Sequence, residues 1–135
     1  MTEPTGNRDA DPLPLALPTH TATRIVLVMI RRMAAHGLRD ARAAMLALDV
    51  FGPQFQRPLL LTRSLVVELA RTSGRRIELA PCCALGMTRD EGLIVDLIGG
   101  GGLATLAALT DDSECRSAYA TAEALGAAIT DCCPV

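Results

Sequence analysis

The chain has 135 residues, half of them apolar, which makes it one domain by length with enough apolar surface for a single buried core. Its formal net charge of −2 and its 2% of aromatic residues argue against nucleic-acid binding, which usually needs a basic surface or stacking aromatics. Alanine has the best helix propensity and lets helices approach closely. Because it is frequent here, we predict an all-α fold, a compact bundle of five or six short helices.

Residues 1–20 are predicted to form a Pro-rich arm that is disordered at first and then extended. Proline lacks a backbone N–H and blocks helix formation, and four prolines fall in this segment, at positions 4, 12, 14 and 18. The segment is polar and acidic, unlike a secretion signal, and the apolar run Ile25–Ile30 is far shorter than the ~20 residues that span a bilayer. We therefore expect a cytoplasmic protein with no membrane segment and with reduced cysteines.

Two helices are expected next, joined so closely that they must be neighbours in space. The first should run from about Ala22 to His36, with Thr21 as its N-cap and Gly37 as its stop. The second should begin after Asp40 as its N-cap and end at Gly52. This second helix should run through the apolar residues Ala41, Ala44, Met45, Leu48 and Val50.

A third helix is predicted from about Pro58, which suits a first turn, to just before Gly74, which suits the left-handed residue beyond a helix end. Its apolar stripe repeats every four residues and must be covered by the rest of the fold. The stripe is centred on Leu61, Leu65 and Leu69. The alternation in Arg75–Leu79 is too short for a strand without a partner, so we predict extended coil there.

A fourth helix should start at Thr88, because Thr88 and Glu91 have the spacing of a capping box. The four glycines Gly99–Gly102 should stop this helix before Leu103–Leu109 becomes helical again.

The last helix should start after Asp111 and Asp112, either of which can cap it, and should run to about Thr130. Its inward residues are predicted to be Ala118, Ala122, Leu125 and Ile129. These elements make residues 21–130 a single helical domain, followed by a flexible tail at residues 131–135.

Several segments together resemble a family of small, uncharacterised alphaproteobacterial proteins. They are Arg31–Ala41, Arg57–Leu61, Ala80–Cys83, Met87, Thr88 and Glu91. The likeness covers about residues 21–98. It implies a bacterial cytoplasmic setting and places the domain in this central segment, and it implies no activity.

Two adjacent cysteine pairs are the sharpest chemical feature of the sequence. Cys82, Cys83, Cys132 and Cys133 could together hold zinc or an iron–sulfur cluster, with Cys115 or His36 as a further ligand. Adjacent cysteines rarely chelate one ion, so the alternative is that they are small buried apolar residues. A third reading is a reactive thiol, because Arg75 and Arg76 precede the first pair and a helix N-terminus follows it.

The charges are divided between the two halves of the chain. Residues 21–80 carry ten arginines against four acidic residues, a balance of +6, whereas residues 81–135 carry two arginines against eight acidic residues, a balance of −6. The halves could attract each other within one fold or between subunits. We expect the arginines to form a solvated or partner-facing surface.

Two functions follow from the sequence. The first is a non-catalytic helical protein that self-associates or binds a protein partner, since no serine lies in a nucleophile-elbow motif and the apolar content is high. The alternative is a thiol-based metal-binding or redox-responsive protein centred on Cys82 and Cys83.

Overall fold

The computed structural model describes residues 13–111 and 116–133, and within these ranges the fold is all-α, as predicted, with six α-helices and one small sheet. The helices are α1 (Thr21–His36), α2 (Ala41–Phe51), α3 (Gln56–Thr72), α4 (Arg89–Ile98), α5 (Leu103–Thr110) and α6 (Arg116–Cys132). A 3-10 turn, Gly52–Gln54, links α2 to α3. No helix in the described ranges has the length and apolar character needed to cross a membrane.

The helix starts follow from local capping. The capping box at Thr88 and Glu91 is present, and Asp40 caps α2 by accepting from the Ala43 N–H, as predicted. The prediction of Thr21 as the cap of α1 is wrong. The helix begins one residue earlier than expected, so the His20 ring takes the N-cap position and its Nδ1 accepts from the Thr23 N–H at 3.4 Å.

The core lies where α3 packs against α1 and α6, and where α4 packs against α5 and α6. Leu65 and Leu69 are buried and Leu61 is half-buried, so the predicted stripe faces inward. All four inward positions predicted for the last helix are buried: Ala118, Ala122, Leu125 and Ile129. Each fully buried Leu or Ile contributes about 1.5–3 kcal/mol, so this core supplies most of the stabilisation.

The end of α3 differs from the prediction. Ser73, in extended conformation, follows the helix, and Gly74 is not left-handed. Instead, the Gly74 N–H donates to the Thr110 carbonyl at 2.7 Å, and a Cβ on Gly74 would lie only 3.3 Å from that oxygen. Glycine is therefore used here for a close approach to the end of α5. Asp111 is the left-handed residue that ends α5, and Asp112, the other expected cap of α6, lies outside the described residues.

The described part of the arm forms a strand that the sequence did not indicate. β1 (Leu15–Ala16) pairs antiparallel with β2 (Gly86–Met87), in the register Leu15 to Met87 and Ala16 to Gly86. Two residues are too few to show a periodic pattern, and the partner strand lies some 70 residues away in the chain. At the other terminus, α6 continues through residues 131 and 132, where the sequence placed the start of the tail.

Candidate functional site

A buried ion pair joins α1 to the first turn of α4. Arg31 Nε donates to Glu91 Oε2 at 2.7 Å, and Arg31 Nη2 donates to Glu91 Oε1 at 2.9 Å. The two side chains are 1% and 0% exposed. The expectation that the arginines form a solvated or partner-facing surface is therefore wrong for Arg31, because its two-pronged geometry matches a carboxylate inside the fold.

The same pair fixes the loop from Ala80 to Thr88. Glu91 also accepts from the backbone N–H groups of Ala80 and Thr88, both at 3.0 Å. Arg31 donates to the carbonyls of Ala84, at 3.2 Å, and Gly86, at 2.7 Å. Burying two charges is costly unless their hydrogen-bonding capacity is met, and here the loop backbone meets it. The loop that carries the first cysteine pair is therefore tied to a fixed point in the core.

A second ion pair holds the preceding segment against α4. Arg75 Nη2 donates to Asp90 Oδ1 at 2.5 Å, and the Glu78 N–H donates to Asp90 Oδ2 at 2.7 Å. Burial alone would raise the pKa of Asp90, but the bonds from Arg75 and the Glu78 N–H outweigh it, so the pKa of this carboxyl is lowered. Both pairs join an arginine of the basic half of the chain to a carboxylate of the acidic half. Part of the attraction between the two halves therefore acts within one chain.

Cys82 and Cys83 occupy a turn of the clamped loop. Cys83 is exposed and Cys82 is half-buried, with its Sγ 3.8 Å from Arg32 Nη1. Arg32 is itself held by Asp40, since its Nε donates to Asp40 Oδ2 at 2.7 Å. A positive charge is thus positioned beside one thiol of the pair, while the other faces solvent.

The Asp40 carboxylate makes the fold sensitive to acid. Hydrogen bonds from Arg32 and the Ala43 N–H lower the pKa of Asp40 from 3.8 to about 2. Since the folded pKa lies below the unfolded one, this stabilisation is present above about pH 4 and is lost as the pH falls towards 2.

We expect Asp40→Asn, which can still cap a helix, to flatten the pH dependence of the free energy of unfolding between pH 4 and 2. Urea titrations at several pH values test this, with exposed Asp49→Asn as the control. An unchanged slope would contradict it.

The second cysteine pair lies elsewhere in the fold. Cys133 Sγ is 3.6 Å from the Val50 carbonyl, and Cys132 Sγ is 3.2 Å from Gln54 Oε1. The Cys133 carbonyl accepts from His20 Nε2 at 3.0 Å, which places this pair at the start of α1. Cys82 lies beside Arg32, twelve residues further along the helix, or about 18 Å at 1.5 Å per residue.

The structure therefore does not bring the two cysteine pairs together. His36 is the exposed last residue of α1, and Cys115 lies outside the described residues. Among residues 13–111 and 116–133, no three His, Cys, Asp or Glu side chains are grouped as a metal site requires. A site at Cys82 and Cys83 would therefore receive no ligand from Cys132, Cys133 or His36 of the same chain.

Two large apolar side chains are exposed on the outer face of α2. Ala43 and Ala47 point into the core, where their small side chains allow close packing of α2 against its neighbours. The larger Met45 and Leu48, one turn apart, point outward and are 60% and 49% exposed. Two of the larger apolar side chains of this helix are therefore left for contacts outside the chain.

The comparisons with known proteins concern almost the whole chain. A family model described as "Family of unknown function (DUF6628)" matches residues 5–133. That range extends well beyond the segment 21–98 on which the sequence resemblance rested. Comparison with the curated proteins gives no match, and comparison with the solved structures gives none either.

Proposed function

This chain belongs to the family of unknown function DUF6628, and we propose that it is a non-catalytic helical protein that acts by self-association or by binding a protein partner. The observation that carries the proposal is the outward pair Met45 and Leu48 on α2. Their burial against another surface would remove apolar area from water, which is the main favourable term in protein association. The proposal also places the protein in a bacterial cytoplasm, as the sequence resemblance implies.

The position of this face supports a direct role in association. α2 is held by its Asp40 cap and by packing against α1 and α3, so its outer side chains are presented on a rigid element. Arg42 and Asp49, both exposed on the same helix, would supply a charged edge around the apolar pair. Apolar side chains surrounded by polar ones are typical of interfaces.

The test is sedimentation of the protein over a range of concentrations. We expect the wild-type chain to self-associate. The double substitution Met45→Gln and Leu48→Gln should raise the dissociation constant by about tenfold or more, as for central interface residues. Leu60→Gln is the matched control, because Leu60 is 56% exposed on a different helix, α3. A wild-type chain that stays monomeric at every concentration would exclude self-association. An equal effect of Leu60→Gln would remove α2 from the proposal.

The second candidate is a thiol-based metal-binding or redox-responsive function at Cys82 and Cys83. It is favoured by one arrangement, an exposed thiol adjacent to a second thiol that has a guanidinium 3.8 Å away. Thiolates are both the nucleophiles and the metal ligands of cysteine chemistry, and positive charge stabilises them. Zinc or an iron–sulfur cluster would need further ligands from a second copy or from outside the described residues.

This candidate predicts different behaviour for the two cysteine pairs. We expect Cys83 to be alkylated first, and Cys133 last, because burial raises the pKa of the Cys133 thiol and so reduces its thiolate. Mass spectrometry after timed alkylation measures the order. Metal analysis of anaerobically purified protein should show bound metal that is lost in Cys82→Ser with Cys83→Ser and kept in Cys132→Ser with Cys133→Ser. Metal-free wild-type protein in which Cys83 is unreactive would end this alternative.

A further inference from the structure

A small apolar cavity opens between α1, α3 and the extended segment that follows α3. Its volume is about 250 Å³. The floor is formed by the buried side chains of Ile30, Leu65, Leu69 and Ile94. Pockets that hold drug-sized ligands measure roughly 300–1,000 Å³, so this cavity suits a smaller molecule.

The cavity remains open because small side chains lie at its mouth. Ala34 of α1 and Ala70 of α3 both line it and are both exposed. Ile77 and Leu79, half-buried on the segment 75–79, cover the opposite side. Their alternation was read from the sequence as extended coil, and in the structure it forms one wall of the cavity.

The rim of the cavity is positively charged. Arg75 and Arg76 both line it, but Arg75 is committed to Asp90 and to the carbonyl of Ala108. The Arg76 guanidinium is exposed and makes no hydrogen bond or ion pair with the residues that the structure describes. Among the described residues none accepts from its five N–H donors, and the planar arrangement of these donors matches a carboxylate.

From the apolar floor and the exposed Arg76 guanidinium we propose that this cavity binds a short aliphatic carboxylate, with the hydrocarbon tail between α1 and α3 and the carboxylate on Arg76. An anionic head complements Arg76, and a flexible chain suits an apolar cavity of this size. This is a small-molecule site, independent of the association face on α2.

Chain length gives the first measurable consequence. Each methylene buried contributes about 0.8 kcal/mol, which is about fourfold in affinity. Affinity should therefore rise about fourfold per carbon from butanoate upward and then level off when the cavity is full. A surface that merely attracts anions would show no dependence on chain length.

The decisive experiment compares octanoate with octan-1-ol by NMR titration of the full chain. We expect octanoate to bind about tenfold more tightly, as a charge-assisted hydrogen bond allows. Arg76→Ala should remove this preference and leave octan-1-ol binding unchanged. Arg71→Ala is the control of equal charge, since Arg71 is exposed at the end of α3 and does not line the cavity.

A second variant tests the cavity itself. Ala70→Leu adds a larger side chain at an exposed helical position, where Leu has nearly the propensity of Ala, and it should block the mouth while the thermal midpoint stays close to that of wild type. Both ligands should then lose binding. Absence of octanoate binding to the wild-type chain, equal binding of the two ligands, or unchanged binding in folded Ala70→Leu would each overturn the proposal.

Discussion

Replacing Glu91 with alanine is expected to lower the free energy of unfolding by about 3–5 kcal/mol, the usual cost of removing one partner from a buried ion pair. The change leaves the Arg31 guanidinium buried without its counter-ion. It also removes the acceptor for the N–H groups of Ala80 and Thr88. Because total stabilities are roughly 5–15 kcal/mol, the loss would be a large share of the whole. Urea denaturation followed by circular dichroism measures it.

A matched control separates the buried pair from general effects of losing a helical glutamate. Glu123 is exposed on α6, so Glu123→Ala should change the free energy of unfolding by no more than about 0.5 kcal/mol. Glu91→Gln should lie between the two variants, because it keeps acceptor capacity and loses the charge. If Glu91→Ala cost less than about 1 kcal/mol, the loop from Ala80 to Thr88 would not depend on this ion pair.

The features of the fold that were predicted correctly are encoded within one or two helical turns. Thr88 with Glu91, and Asp40 with the Ala43 N–H, lie three residues apart, so their capping bonds can be read from spacing alone. The burial of Leu65 and Leu69 follows in the same way from a four-residue repeat. Such signals need no knowledge of how the helices pack.

The ion pair at the centre of the candidate site could not be predicted in this way. Arg31 and Glu91 are 60 residues apart, and charged residues are almost never fully buried unless paired, so composition alone points to the surface. One local signal did exist. Arg31 lies four residues after Leu27, so the two share a face of the helix, and Leu27 belongs to the apolar run Ile25–Ile30.

The orientation of α2 shows a second limit of sequence patterns. Apolar residues occur on most sides of this helix, so their spacing does not decide which of them are buried. The structure buries Ala43, Ala47 and Phe51 and exposes Met45 and Leu48. The close packing of α2 on α1 accounts for the choice, since alanine permits a shorter distance between helix axes. The same packing leaves Met45 and Leu48 exposed on the face on which the proposed association rests.

Replacing Gly126 with alanine is expected to destabilise the protein, although the same change inside a helix normally stabilises by up to about 1 kcal/mol. Gly126 lies in α6 at the point where this helix crosses the end of α4, and a Cβ there would overlap the backbone carbonyl oxygen of Ile98. Backbone cannot rotate away as a side chain can, so the two helices must separate. We expect a loss of about 1–3 kcal/mol in the free energy of unfolding, as for other overpacked sites.

Gly92 provides a control of opposite sign within the same fold. It is also an interior helical glycine, but a Cβ at this position would meet only the end of the Leu15 side chain, which is partly exposed and can move. Gly92→Ala should therefore leave the free energy of unfolding unchanged or raise it by up to about 1 kcal/mol, because the gain in helix propensity is not opposed by backbone. Urea denaturation of the two variants side by side compares the effects.

If both alanines stabilised the protein equally, the inference that α6 approaches the Ile98 carbonyl too closely for a Cβ would be wrong. If both destabilised it equally, the cost would not depend on whether backbone or side chain is met, and the packing argument for Gly126 would fail.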